Sequence, residues 1–331
     1  MDSPKLVVLD VGHGNCAVLV DGEEAAVIDC APGSTLHETL EQLQIYEIQY
    51  VFLSHVDRDH CAGLTGLLLN GIVRNVYLNP DPRRDSKTWQ ALRIALKKAS
   101  DSFGTKIHPR LSTAPPLNLR CGRVDIEVLS PSLDMTMSGV SGEDLQAREL
   151  TANSMSAVLG LTHDGCRVAL FPGDIDEVGL AHLLEAKEIE AKILVFPHHG
   201  GKSKTIAGDE FASQLCEAVK PELVLFSIGR ERYNNPREEV VRGVKSASPG
   251  SHVLCTQLSR KCADSIPDAN PIHLADLPAS GSSGKKCCGG TVFVELKGGS
   301  SAYVPSTVHE QFVNDFVPLA MCMRHGQGRF L

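Results

Sequence analysis

The sequence predicts an α/β fold built from two β-sheets with helices on their outer faces. Three observations predict it. Strand-like apolar runs come in two series along the 331 residues, with helical stretches interspersed in each. Glycine turns punctuate the opening runs. Residues with ligand chemistry follow the ends of strands rather than lying within them.

The elements follow in order. Residues 5–11, 16–20 and 25–29 are β-rich, and Gly12-His13-Gly14 joins the first two runs. Ser34 is expected to cap a helix through Leu43. Residues 49–54 form an apolar strand that enters a polar hexapeptide and then a helix. Residues 73–78 read as a strand, 86–100 as a helix and 124–129 as a strand. Residues 155–162 and 167–171 predict a hairpin across His163-Asp164-Gly165. Helix 176–186, strand 192–196, helix 209–219 and strand 222–228 come next. Pro236 starts a helix to Lys245, and 252–255 and 291–296 are strands.

One domain over residues 1–300 is expected. It carries an insertion at 132–150, with a short helix around 143–150, and a cysteine-containing loop insertion at 256–290. Residues 301–331 form a C-terminal appendage. The chain slightly exceeds the size of about 250–300 residues at which single cores stop growing.

Composition narrows the function. With 42% hydrophobic and 22% charged residues, the chain is globular. The opening residues lack the pattern of a secretion signal. No stretch approaches the roughly 18 apolar residues of a membrane helix. A cytoplasmic protein without a membrane partner is expected. Eleven cysteines is an odd count. Cys16, Cys30 and Cys166 sit in strand-like runs as small buried hydrophobes, and a disulfide framework does not suit a reducing compartment. A net charge of -8 argues against a basic coat for long nucleic acid, but not against a local basic groove.

The run VFLSHVDRDHCAGL (51–64) carries the strongest chemical signal. A strand delivers His55, Asp57, Asp59 and His60 within six residues. Four such groups are costly to bury unless a cation neutralises them. Imidazole and carboxylate suit zinc, manganese or iron. Alternate residues face different sides, so His55 and Asp57 can serve one ion and Asp59 and His60 another. Alone, the run also reads as a solvated turn with capping aspartates. Asp174 follows the strand of LFPGDI (170–175), and His198 and His199 follow the next in PHHGG (197–201). Each has a bland reading as a helix cap or turn residue, but the ordered set of three strand ends does not.

With LDVGHGN (9–15), NSMSAVL (153–159) and SIGRERYNNP (227–236), this set resembles the metallo-β-lactamase superfamily. Within it, the sequence is most similar to the hydrolase domain of ComEC-type DNA-uptake proteins. The resemblance spans about residues 5–296. It implies a four-layered αββα sandwich of two mixed β-sheets with a two-metal site between their upper edges. It implies that His55 and Asp57 serve the first metal, Asp59 and His60 the second, that Asp174 bridges both, and that His198 completes the second site. His199 becomes an alternative ligand or a proton donor. Asp29 supports the ligand loop from behind. Asn153 stands where many relatives carry a histidine, as a weaker ligand. Asp57 replaces the second histidine of the commoner pattern, which leaves zinc and manganese both open. His13 and Asn15 stand where the DNA-uptake relatives carry Gln and Asp, and Asn235 where they carry His. Gly201 stands where they often carry Ser.

The implied chemistry is hydrolysis by a metal-activated water, with Asp59, Asp174 and His199 as the catalytic set. The leading expectation is a phosphodiesterase or nuclease acting on single-stranded DNA, RNA or a nucleotide. The alternatives are a lactonase, thioesterase or other ester hydrolase, or a non-enzymatic metal-binding scaffold. Lys202 and Ser203 can contact phosphate or lie on a solvated loop. The resemblance brings Tyr233 and Asn235 to the site, to orient substrate or to close a turn. Cys255, Cys262, His273, Cys287 and Cys288 offer a third, structural zinc, although CxxC spacing is missing and the bland reading is buried thiols.

Overall fold

The computed structural model describes residues 3–323 except 83, 187, 203, 204, 270, 298, 299, 304 and 305. Fifteen strands appear among the described residues. They are β1 (Lys5–Val8), β2 (Cys16–Asp21), β3 (Glu24–Cys30), β4 (Ile48–Phe52), β5 (Val73–Tyr77), β6 (Lys106–His108), β7 (Leu119–Cys121), β8 (Val124–Ser130), β9 (Val158–His163), β10 (Cys166–Phe171), β11 (Ile193–Val195), β12 (Leu223–Phe226), β13 (His252–Cys255), β14 (Val292–Lys297) and β15 (Ser300–Tyr303). The helices are α1 (Thr35–Gln42), α2 (Arg58–Cys61), α3 (Leu64–Leu69), α4 (Lys87–Phe103), α5 (Leu133–Ser138), α6 (Glu177–Ala186), α7 (Gly208–Val219), α8 (Glu238–Ala247) and α9 (Ser306–Phe316).

The strands form an eight-stranded sheet, ordered β15-β14-β1-β2-β3-β4-β5-β6, and a seven-stranded sheet, ordered β13-β12-β11-β10-β9-β8-β7. Both sheets are mixed. β14, β1, β2 and β3 pair antiparallel, whereas β3 to β6 run parallel. β7 to β10 pair antiparallel, whereas β10 to β13 run parallel. Parallel neighbours need long crossovers, and α3, α7 and α8 supply three of them.

Period-2 alternation builds the layers. Leu6 and Val8 of β1 enter the core between the sheets, with Leu19, Ile28, Leu159 and Val195. Val7 of β1 faces outward under α1, α3 and α4, against Leu40, Leu68 and Leu92. Leu194 and Phe226 face the other way, under α6, α7 and α8. This is the αββα sandwich. Phe312 and Val313 of α9 also enter that last cluster, so the segment read as an appendage lays a helix on the second sheet.

Several local expectations are corrected. Residues 143–150 form no helix. A bridge joins Glu143 to Glu149, and buried Asp144 accepts hydrogen bonds from the backbone of Gln146 (2.9 Å) and Arg148 (2.8 Å). A side chain that captures nearby backbone donors competes with helix formation. The helix of this insertion is α5, capped by Ser132, whose hydroxyl accepts from Met135 N at 3.2 Å. Ser34 makes no side-chain cap bond. The short edge strands β6 and β7 lacked a sequence signal.

Candidate metal centre

The site grows from strand ends. β4 runs into Ser54 and His55, and the chain then turns into α2, which carries Asp59 and His60. Asp174 follows β10. His198 and His199 follow β11 in a one-turn 3-10 helix, Pro197–Gly200, with both histidines in left-handed backbone at φ 52° and 54°. Such φ values are uncommon outside glycine and cluster at functional sites. The β1–β2 loop closes one side. A Cβ on Gly14 would stand 2.5 Å from the Asp59 carbonyl oxygen, so only glycine permits this approach.

Two clusters result. In one, Asp59 Oδ2 lies 3.3 Å from His13 Nε2 and 3.4 Å from His199 Nε2. In the other, His60 Nε2 lies 3.4 Å from Asp174 Oδ1, with His55 alongside. Each cluster holds its three ligand atoms within 4.8 Å of one another, and among the described residues no others do. Asp174 Oδ2 stands 4.0 Å from His199 Nε2 and so links the two.

The set fits divalent ions. The Nε2 atoms of His55, His60 and His199 are buried with no hydrogen-bond partner. Buried polar atoms are normally satisfied, so three converging orphans beside carboxylates match a cation. Burial, reinforced by His60, pushes the His55 imidazole down to about 3 and keeps it neutral, as a ligand must be. Burial opposes ionisation of Asp59, but the adjacent His13 and His199 imidazoles outweigh it and hold the carboxyl far below its usual range. Burial likewise opposes charge on Asp174, and the His60, His199 and His198 imidazoles override it.

The ligands are oriented from behind. His60 Nδ1 lies 2.7 Å from Asp29 Oδ2, to which it donates. Asp29 also accepts from Ser54 N at 2.8 Å and from Ser54 Oγ at 2.8 Å. Its own backbone is left-handed, at φ 57°. His199 Nδ1 donates to the Ser227 carbonyl at 2.8 Å, leaving Nε2 to face the carboxylates. A carboxylate behind a ligating imidazole is worth about 10–100-fold in metal affinity. Asp29→Ala should lose that much in a chelator-buffered zinc titration. An unchanged affinity would contradict the orienting role.

Other sequence candidates take varied places. Asp57 forms an ion pair with Arg84 and stands 3.9 Å from His55 Nε2. Burial raises its carboxyl and Arg84 partly offsets this. His198 donates its backbone N–H to Asp174 Oδ1 (3.0 Å), and its Nδ1 lies 3.6 Å from Asp174 Oδ2. With Asn153 and Lys202, His198 lines a cleft of about 200 Å³. Ser203 lies outside the described residues. Asn235 is buried, with Nδ2 3.5 Å from the His198 carbonyl. The Tyr233 ring leans on His13, 4.7 Å between centroids. Sequence reasoning missed His13 as a cluster member, and also Ser54, Arg84 and Ser227. The GHG turn after a strand was the available signal for His13.

The five-residue zinc set is corrected. Cys255, Cys262 and Cys288 line one apolar pocket with Cys322. Cys287 faces away, with Sγ 3.5 Å from Asp10 Oδ2. Cys287 is not among the residues that line this pocket, so the five side chains do not converge. His273 Nε2 donates to the Cys288 carbonyl at 2.6 Å. Cys288 Sγ instead meets His309 Nε2 at 3.3 Å.

Fold and site together define a metallohydrolase scaffold: a two-sheet sandwich with paired His/Asp clusters at the strand ends. The profile of the metallo-beta-lactamase superfamily matches residues 9–207. The chain belongs to that superfamily, as a metal-dependent hydrolase with a candidate dinuclear His/Asp site. Among solved structures, it is similar to the metallo-beta-lactamase fold protein YhfI from Bacillus subtilis. That match has 12% identity and a TM-score of 0.50, covering 76% of this chain and 96% of the other. Igni18, a metallo hydrolase from Ignicoccus hospitalis, matches at 14% identity and TM-score 0.45, over 76% and 94% of the two chains. Human tRNase Z, short form, matches at 14% identity and TM-score 0.41, over 69% and 94%. No curated protein matches the sequence. No helix among the described residues is long and apolar enough to cross a membrane.

Proposed function

We propose that the protein is a phosphodiesterase or nuclease acting on nucleic acid or a nucleotide through two divalent ions, zinc or manganese. The observation that carries this reading is the pairing of an aspartate-rich centre with a cation on each flank. Lys202 lines the cleft beside His198, and Arg110 lines a cleft of about 250 Å³ beside His55. An anionic diester between them would have a cation to pair with on each side, Arg110 beside Asp81 and Lys202 beside Asp176. The likeness to ComEC-type hydrolase domains points the same way.

One ion would be held by His13, Asp59 and His199, the other by His55, His60 and Asp174, with Asp57 beside His55 as a further donor and Asn153 in the cleft at His198. When bound, the ions supply Lewis acidity and a nucleophilic water. The chain does the rest. Asp29 accepts the His60 Nδ1–H and so keeps Nε2 facing the site. The Ser227 carbonyl holds His199 in the tautomer whose Nε2 faces the metal site. Lys202 binds a phosphate oxygen.

The two adjacent histidines take the reverse of their sequence-based roles in this reading. His199 is the ligand, because its Nε2 is buried and orphaned. His198 is the proton donor to the leaving oxygen, because it faces a cleft and touches Asp174. His199→Ala should therefore lower bound metal, whereas His198→Ala should keep the metal and lose about 10²-fold or more in turnover. Metal analysis alongside bis-p-nitrophenyl phosphate hydrolysis decides between the roles. Metal loss in His198→Ala alone would restore the first assignment.

The reading as a whole is tested with zinc- or manganese-loaded protein on bis-p-nitrophenyl phosphate, p-nitrophenyl acetate and a simple lactone. Diester turnover is expected. Turnover of the ester or lactone with none of the diester would overturn it in favour of a carboxylic-ester hydrolase.

A further inference from the structure

Five rings run in a row across the centre. His55 and His60 stand 4.1 Å apart between centroids, His60 and His199 5.5 Å, His199 and His13 4.3 Å, and His13 and Tyr233 4.7 Å. The row has two different ends. At the His55 end opens the cleft of about 250 Å³, walled by Val56, Pro80, Val140 and Met155, with Ser54, Asn79, Asp81, Arg110 and Thr136 as polar groups. Sites that engulf a drug-sized ligand hold about 300–1,000 Å³, so this cleft takes one arm of a substrate rather than the whole. At the other end stands Tyr233, 63% exposed.

Tyr233 is not core packing that slipped outward. Its ring packs on the His13 imidazole, one of the cluster members. Its backbone is left-handed, at φ 57°, and Asn234 follows at φ 50°. Two consecutive non-glycine residues in that region mark a loop whose conformation the surroundings impose. The result is an aromatic face presented to solvent beside the reacting centre. Nucleobases stack on such faces whatever their sequence.

We propose that Tyr233 is a stacking platform for the base of the nucleotide whose phosphate is cleaved, with the other arm of the diester in the cleft at His55. This rests on the phosphodiesterase reading and deepens it. The substrate is then a nucleotide diester with one arm of about nucleoside size, not a bare alkyl diester.

The test uses two substrates with one leaving group: thymidine 5′-(p-nitrophenyl) phosphate and methyl p-nitrophenyl phosphate. Tyr233→Ala should raise KM for the thymidine substrate about tenfold to a hundredfold. It should change KM for the methyl substrate far less, because that substrate has no base to stack. Tyr233→Phe should behave as wild type, because stacking needs the ring and not the hydroxyl. Equal losses on both substrates, or no change on either, would overturn the platform. If the wild-type protein hydrolyses neither, the phosphodiesterase reading fails by itself. Calorimetry with thymidine 5′-monophosphate and with inorganic phosphate then decides the platform. Weaker nucleotide binding in Tyr233→Ala, with phosphate binding unchanged, supports it. Equal nucleotide binding in both proteins overturns it.

Discussion

Asp174→Ala should remove bound metal and lower diester hydrolysis by roughly 10²–10³-fold. The size follows from position. Asp174 Oδ1 faces His60 Nε2 at 3.4 Å, and Oδ2 lies within 4.0 Å of His199 Nε2, so one carboxylate reaches both clusters. Its backbone N–H is held separately, by Ser156 Oγ at 3.0 Å, and Ile175 after it is fully buried. The loop should therefore keep its path when the carboxylate is cut away. Metal analysis, hydrolysis of bis-p-nitrophenyl phosphate and a melting curve separate the outcomes. Loss of metal and activity is the expected result, with the metal-free variant melting close to the metal-free wild type. Full metal occupancy in the variant would remove Asp174 from the ligand set.

Phe52→Ala should destabilise the fold by about 3–5 kcal/mol. Phe52 is fully buried, lies in the core between the sheets and stacks on Tyr77 with centroids 5.3 Å apart. Truncation removes apolar burial and leaves a void between close-packed layers. Domains of this kind have about 5–15 kcal/mol in total, so the loss is a large share. Urea unfolding measures it through the midpoint at unchanged slope. A change under about 1 kcal/mol would mean that the sheets close over the gap. Since Phe52 ends the strand that delivers His55, metal affinity should weaken in step.

Some of this was legible in the sequence because it is local. A strand that ends in HVDRDH, a strand that ends in GD and a strand that ends in PHHG each carry their own punctuation. The two series of runs then marked two sheets with helices outside them. What was not legible depends on distance or on facing. His13 joins Asp59 because Gly14 lets the β1–β2 loop lie against α2, with Asn15 N donating to the Asp59 carbonyl at 3.1 Å. No local pattern encodes that meeting. His198 and His199 are neighbours with nearly the same backbone angles, and only the Ser227 carbonyl reveals which ring is turned inward. Residues 143–150 have good helix formers among them, but Asp144 captures the backbone donors a helix would use. The cysteines at 287 and 288 looked like partners, yet Cys288 lines the apolar pocket while Cys287 turns to Asp10.

The ligands come from both halves of the sandwich. His13, His55, Asp59 and His60 hang from the first sheet, and Asp174 and His199 from the second. Each ion would be held from both sheets and would act as a rivet across the seam between the layers, one of them joining His13 to His199. Stability and occupancy then become one quantity. At an ion concentration 100 times the dissociation constant, the folded state gains about 2.7 kcal/mol. Whatever sets the free metal level around this chain would also set how firmly its two halves stay together.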